Sequence, residues 1–140
     1  MIRLDSILLI EDDKITNYIN ERLIERLDVT LSIETALNGL DAIKMLLSKK
    51  EKGLPMPNLI LLDINMPVMD GFEFLQKYHA LELDKNKDTV IIMLTTSTHV
   101  RDMDKLMTSG NIDVLNKPLT REKILQVMNN YFSNQEITSV

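Results

Sequence analysis

Apolar residues along this chain follow two rhythms. Ile7-Leu8-Leu9-Ile10, Leu59-Ile60-Leu61-Leu62 and Val90-Ile91-Ile92-Met93-Leu94 are apolar at every position, and each run stops at a polar residue. Such runs are too short for helices and read as strands buried on both faces. Thr30 to Ala36 (TLSIETA) alternates instead, as a strand nearer a sheet edge does, and Asp113 to Asn116 (DVLN) is a weaker fifth strand. The second rhythm is helical. Ile15, Ile19, Leu23 and Leu27 recur every four residues and, with Ile24, make one apolar stripe. A segment from about Leu40 to Ser48 turns Ala42, Ile43, Leu46 and Leu47 inward, and a third carries Phe72, Leu75 and Tyr78 after Asp70-Gly71. A short fourth carries Val100, Met103, Leu106 and Met107. The last follows Thr120, a suitable N-cap with Glu122 in the first turn, and carries Ile124, Val127, Met128 and Tyr131.

Strand and helix thus alternate five times. Strands joined by helical crossovers lie parallel, with right-handed connections and helices on both faces, so an α/β doubly wound sheet is expected. SKKEKGLPMPN (48–58) mixes charges with one Gly and two Pro and reads as a loop, not a domain boundary. Residues 1–132 are expected to form one domain, with 133–140 a loosely held tail.

The 140 residues, 44% hydrophobic and 26% charged, suit a single soluble domain that buries roughly two thirds of its unfolded surface. A net charge of −5 argues against direct nucleic-acid binding, which needs a basic face. With no cysteine, disulfides and thiolate metal sites are excluded. The opening MIRLDSILLIEDD has an apolar run of only four before acids intervene, too short for a secretory signal or a membrane span. The cytoplasm is the expected compartment.

In open parallel sheets ligands bind beyond the carboxyl ends of the strands. There the chain places Glu11-Asp12-Asp13, Asp63, Thr95-Thr96-Ser97 and Asn116-Lys117-Pro118. Carboxylates gathered in this way raise one another's pKa unless a cation lies among them. A hard divalent ion such as magnesium is the simplest answer. Glu11, Asp12 and Asp63 bring three negative charges, which a divalent ion and Lys117 balance. Such a site suits a phosphoryl group, whose oxygens need a metal, an ammonium and a hydroxyl. An Asp can take that group as an aspartyl phosphate, and Asp63, alone at the end of the central run, is the natural nucleophile.

The pieces ILLIEDD, LILLDINMPVMDG, IIMLTTS and VLNKPL, in this order and spacing, resemble the receiver domain of two-component response regulators. With nothing after the last helix, the chain is similar to the stand-alone chemotaxis type. The resemblance implies a (βα)5 flavodoxin-like fold with strand order 2-1-3-4-5. It also implies Asp12 as direct magnesium ligand, Glu11 acting mostly through water, and a backbone carbonyl from Asn65; manganese is a possible substitute. Asp63 would be the phosphoacceptor, Thr95 the switch hydroxyl and Lys117 the ammonium, with a cis Lys117-Pro118 peptide. Asn65 and Ser97 fall where the family tunes the lifetime of the phosphorylated state, and Ile15 and Leu119 where kinase helices often touch. The implied partners are a sensor histidine kinase or phosphotransfer protein and a downstream protein target, read through the fourth helix, fifth strand and last helix. Two departures stand out. Val114 replaces a usual Tyr or Phe, so the signal must travel by loop and helix shifts, and Thr96, bulkier than the usual Ala or Gly, restricts access to the site.

Plainer roles suit other residues: Asp13 and Asp70 as caps, Asn38-Gly39 as a turn, Lys49, Lys50 and Lys52 as a solvated helix end, and His79 and His99 as surface. A haloacid-dehalogenase-like phosphatase would want a second Asp where Asn65 stands, together with a cap domain. A pseudo-receiver scaffold would not need the full acid, hydroxyl and lysine set. A flavin carrier would not place the acidic EDDKITN after its first strand.

Overall fold

The computed structural model describes residues 3–85, 88–96 and 111–133. Five strands, β1 (Leu4–Ile10), β2 (Thr30–Ala36), β3 (Leu59–Asp63), β4 (Val90–Thr95) and β5 (Ile112–Asn116), form one parallel sheet in the order 2-1-3-4-5. The described helices are α1 (Lys14–Leu27), α2 (Gly39–Glu51), α3 (Gly71–Ala80) and α4 (Arg121–Phe132). The expected helix around Val100 to Met107, Ser97 and His99 lie outside the described residues.

The continuous apolar runs follow from having helices on both sides of the sheet. On β1, β3 and β4, Leu8, Ile10, Ile60, Leu62, Ile91 and Met93 face one layer, with Ala42, Ile43 and Leu46 of α2 and Phe74, Leu75 and Tyr78 of α3. The alternate residues Ile7, Leu9, Leu59, Leu61, Ile92 and Leu94 face the other, with Ile24 of α1 and Ile124, Val127, Met128 and Phe132 of α4. Each strand therefore needs a large apolar group at every position. β2 lies at an edge and pairs only with β1, which explains its half-exposed alternation.

Helix starts follow from short polar side chains. Asp13 caps α1 through the Ile15 N–H, and Thr120 caps α4 through Lys123 N–H. Asp70 and Glu73 make a full capping box on α3. Asn38 is more than a turn former, because its side chain caps α2 through the Asp41 N–H and starts that helix at Gly39. Nor is the end of α2 merely solvated. Lys49 pairs with Glu34 at 2.8 Å, and Lys50 donates to the Leu81 and Glu82 carbonyls.

The first turns of α1 correct the sequence expectation, while Leu23, Ile24 and Leu27 pack in the α1–α4 layer as expected. Ile15 and Ile19 are 70% and 58% exposed, whereas Asn17, Asn20 and Ile24 are buried. The helix is turned so that positions 17, 20 and 24, spaced three and four apart, meet the sheet. The cause is polar: the Asn17 amide donates to the Glu11 carbonyl at 2.8 Å.

Candidate functional site

The site stands at the carboxyl edge, where β1, β3 and β4 end. Glu11, Asp63 and Thr95 are buried there. The backbone ladder delivers them: β1 pairs with β3, β3 pairs Asp63 with Leu94 of β4, and β4 pairs Thr95 with Asn116 of β5. One more ladder bond, from the Lys117 N–H to the Thr95 carbonyl at 2.8 Å, carries the lysine to the same edge. The Lys117-Pro118 peptide is cis.

From that position the Lys117 ammonium reaches Asp63 Oδ1 at 2.9 Å and Glu11 Oε2 at 3.1 Å. The Asn65 N–H also donates to Asp63 Oδ1, at 3.2 Å. Carboxylate oxygens of Glu11, Asp12 and Asp63 lie within 4.8 Å of one another. Glu11 and Asp63 are buried and Asp12 is exposed, so the cluster has two deep members and one at the surface.

The electrostatics are unfinished. Burial pushes the Glu11 carboxyl up to about 7, against the pull of its Lys117 hydrogen bond and with the Asp63 charge adding to the rise. Burial opposes the Lys117 ammonium, yet hydrogen bonds to Asp63 and Glu11 outweigh it and raise its pKa. One ammonium among three carboxylates leaves a surplus of negative charge. All the donors are hard oxygens, so the residues present fit a divalent cation of the magnesium type.

Other expected residues fall as follows. Thr96 and Asn65 are exposed beside the site, and Ser97 is outside the described residues. Val114 is half-buried against the α2–α3 layer. Leu119 was expected to meet a partner, but it is only 8% exposed and packs in the α1–α4 layer, which leaves little of it to touch. Two residues escaped sequence reasoning. Asn17, 4% exposed, holds the Glu11 carbonyl from beneath. Lys123 donates to the Asn116 and Pro118 carbonyls on either side of Lys117, at 2.6 and 2.9 Å. Neither belongs to an apolar pattern, and only folding brings their partners near.

Comparison with known proteins agrees with this geometry. The family model for the response regulator receiver domain matches residues 7–129. The chain is 28% identical over 130 residues to the probable C4-dicarboxylate response regulator DctR of Priestia megaterium, covering 93% of this chain and 53% of that protein. It superposes on a two-component response regulator from Cytophaga hutchinsonii with a TM-score of 0.83 at 28% identity, covering 92% and 97% of the two chains. In fold alone it also matches the receiver domain of the sensor histidine kinase PA1611 from Pseudomonas aeruginosa PAO1, with a TM-score of 0.71, 23% identity and coverage of 91% and 96%. That structure holds a magnesium ion coordinated in its active-site cleft. The chain belongs to the response-regulator receiver family of two-component signalling. It spans about half or less of the first curated relatives it matches.

Proposed function

We propose that this protein accepts a phosphoryl group on Asp63 from a histidine kinase or phosphotransfer protein, and thereby changes the surface it shows a downstream partner. One observation carries the reading: Lys117 bridges Asp63 and Glu11 at the edge where Asp12 and Thr95 also arrive. An ammonium held between two buried carboxylates neutralises charge at the point where a phosphate would add more. Both hydrogen bonds to Asp63 among the described residues end on Oδ1, which leaves Oδ2 to attack phosphorus. The new O–P bond replaces the P–N bond of a phosphorylated imidazole, and the imidazole nitrogen leaves with the electron pair and takes up a proton.

Magnesium, with manganese as substitute, would be held by Asp12, Asp63, the Asn65 carbonyl and, through water, Glu11, and would supply charge neutralisation on the phosphoryl oxygens. Thr95, at the end of β4, would donate its hydroxyl to the phosphoryl group, and Lys117 would shift its hydrogen bond onto it. Asn65, Thr96 and Ser97 set how fast water removes the group, so catalysis is confined to self-phosphorylation and self-dephosphorylation. The donor lands on Ile15 and the exposed outer side of α1. A separate target reads the fifth strand, the last helix and the segment before them. Action in the cytoplasm, with residues 1–132 as the receiver unit, is part of the same proposal. Among the described residues no helix is long and apolar enough to cross a membrane.

The test is direct. With acetyl phosphate and magnesium, intact mass should rise by one phosphoryl group, and amide spectra should shift with beryllofluoride; Asp63→Asn should lose both. Steady turnover of small phosphomonoesters would favour a phosphatase, and no response at all would favour a scaffold.

A further inference from the structure

Lys117 is a long side chain on a short loop, so its reach to Asp63 and Glu11 depends on how the loop is held. The peptide group joining Asn116 to Lys117 is gripped at both ends. Its N–H donates to the Thr95 carbonyl at 2.8 Å. A trans peptide turns its carbonyl the opposite way, so the Asn116 oxygen points off the outer side of β5, an edge strand. There Lys123 Nζ donates to it at 2.6 Å, and to the Pro118 carbonyl at 2.9 Å. One ammonium on α4 thus ties down the backbone on both sides of Lys117.

Helix formation does not ask for a lysine at position 123. Thr120 caps α4 and its Oγ1 accepts from the Lys123 N–H at 3.2 Å, which puts Lys123 in the first turn. Unpaired N–H groups there favour an acid and oppose a cation. The side chain is half-buried and gives up rotamer freedom to be held. Water could satisfy two carbonyls on an exposed loop without any of these costs. What water cannot do is fix them to a helix, whereas a charged donor shared between two carbonyls can. The need is local: Pro118 has no N–H with which to anchor the chain after Lys117. The next fixed point is Leu119, buried in the α1–α4 layer.

The ammonium of Lys117 meets Asp63 at 2.9 Å and Glu11 at 3.1 Å, and a small drift of its backbone would break one of these bonds. We propose that Lys123 is a positioning residue for phosphoryl transfer, clamping the loop so that the Lys117 ammonium bridges Asp63 and Glu11. This rests on the reading of Asp63 given above and adds a residue that acts on it through Lys117. The consequence has two opposite signs. Without the clamp Lys117 withdraws, and the incoming phosphoryl group loses its ammonium, so transfer slows. The three carboxylates meanwhile lose a competing cation, so magnesium binds them more tightly. A site that had merely loosened would lose both properties together.

The experiment uses the full chain as wild type, Lys123→Met, Lys123→Arg, Lys117→Ala and the double variant Lys117→Ala/Lys123→Met. Phosphorylation by acetyl phosphate at saturating magnesium is followed by intact mass. Magnesium alone is titrated into metal-free protein and read by amide spectra. Lys123→Met should slow phosphorylation about tenfold, as misplacement of a charged group does. Its magnesium Kd should fall about threefold. Lys123→Arg, which keeps the charged donors, should stay within about twofold of wild type in both. In the Lys117→Ala background, Lys123→Met should change neither quantity by more than about twofold, because residues acting as one unit are not additive. If Lys123→Met does not fold, Lys123→Gln, shorter and uncharged, is read by the same criteria. A wild-type rate in the neutral variant overturns the proposal, as does a parallel loss of rate and metal affinity. A further tenfold loss on top of Lys117→Ala overturns it too, since the lysine would then act by another route. Wild type that takes no phosphoryl group from acetyl phosphate refutes the Asp63 reading instead.

Discussion

The two ends of the β-sheet handle buried polar groups in opposite ways. At the amino edge polar side chains pair mainly with backbone, and a carboxylate among them, Asp84, accepts from the Thr89 N–H at 2.8 Å. Thr89 Oγ1 donates to the Pro57 carbonyl at 2.7 Å, and Asn58 Oδ1 accepts from the Asp5 and Ser6 N–H groups at 2.7 and 3.1 Å. At the carboxyl edge Glu11 and Asp63 are charged groups sharing one lysine, and Glu11 is left with a pKa near 7. At the first end most of these polar groups are met within the fold. The second is short of positive charge, and its hard oxygens fit a divalent cation. Local incompleteness, held by a rigid frame, marks the working end of this fold.

The largest expected effect lies at the incomplete end. Asp63→Asn should abolish phosphorylation, read by intact mass after acetyl phosphate and magnesium, while leaving the fold intact. A phosphorylated Asp63→Asn protein would move the acceptor elsewhere. Lys117→Ala should come next. It leaves Glu11 and Asp63 facing one another without a cation, and at pH 8 without divalent metal it should cost about 3 kcal/mol in urea denaturation, discounted for the 22% exposure of the lysine side chain. Acylphosphate should still form in this variant, but the beryllofluoride-induced spectral change should vanish; a wild-type response would remove Lys117 from the switch.

A smaller effect is expected from pH. Glu11 rises from 4.5 to about 7 on folding, so the folded state holds its proton more tightly than the unfolded chain. Its stabilising contribution is full below about pH 4.5 and is lost as pH rises through about 7, on the order of 3 kcal/mol in metal-free protein. Glu11→Gln should flatten that slope, and magnesium, which competes with the proton, should bind more tightly across the same window. An unchanged slope in Glu11→Gln would assign the titration to another group. The smallest effect belongs to the amino end. Thr89→Val loses one buried hydrogen bond, should cost about 1 kcal/mol of stability, and should leave the phosphorylation rate unaltered.

Much of this was legible in the sequence because the strands need apolar groups on both faces. Runs such as Leu59 to Leu62 can serve few other purposes, and the polar residue ending each run marks the edge where the site forms. Asp63 and Lys117 were found in that way, and Asp13 by its place before a helix. Periodicity held on the later turns of α1, where Leu23, Ile24 and Leu27 pack in the α1–α4 layer, and failed on its first turns. There one hydrogen bond from Asn17 to the Glu11 carbonyl overrides the stripe, leaving Ile15 and Ile19 outside. Leu119 failed for the converse reason: position in the chain suggested a rim, while packing against the α1–α4 layer made it core. The positive φ of Val68 was equally invisible, since no residue type announces it in valine.

The buried amide of Asn17 gives the first helix a mechanical meaning. Its outer side presents Ile15 and Ile19 to solvent, and its inner side holds the backbone carbonyl of Glu11 in the candidate site. A visitor that leans on the outside therefore presses on the same rod whose far side sets where Glu11 sits.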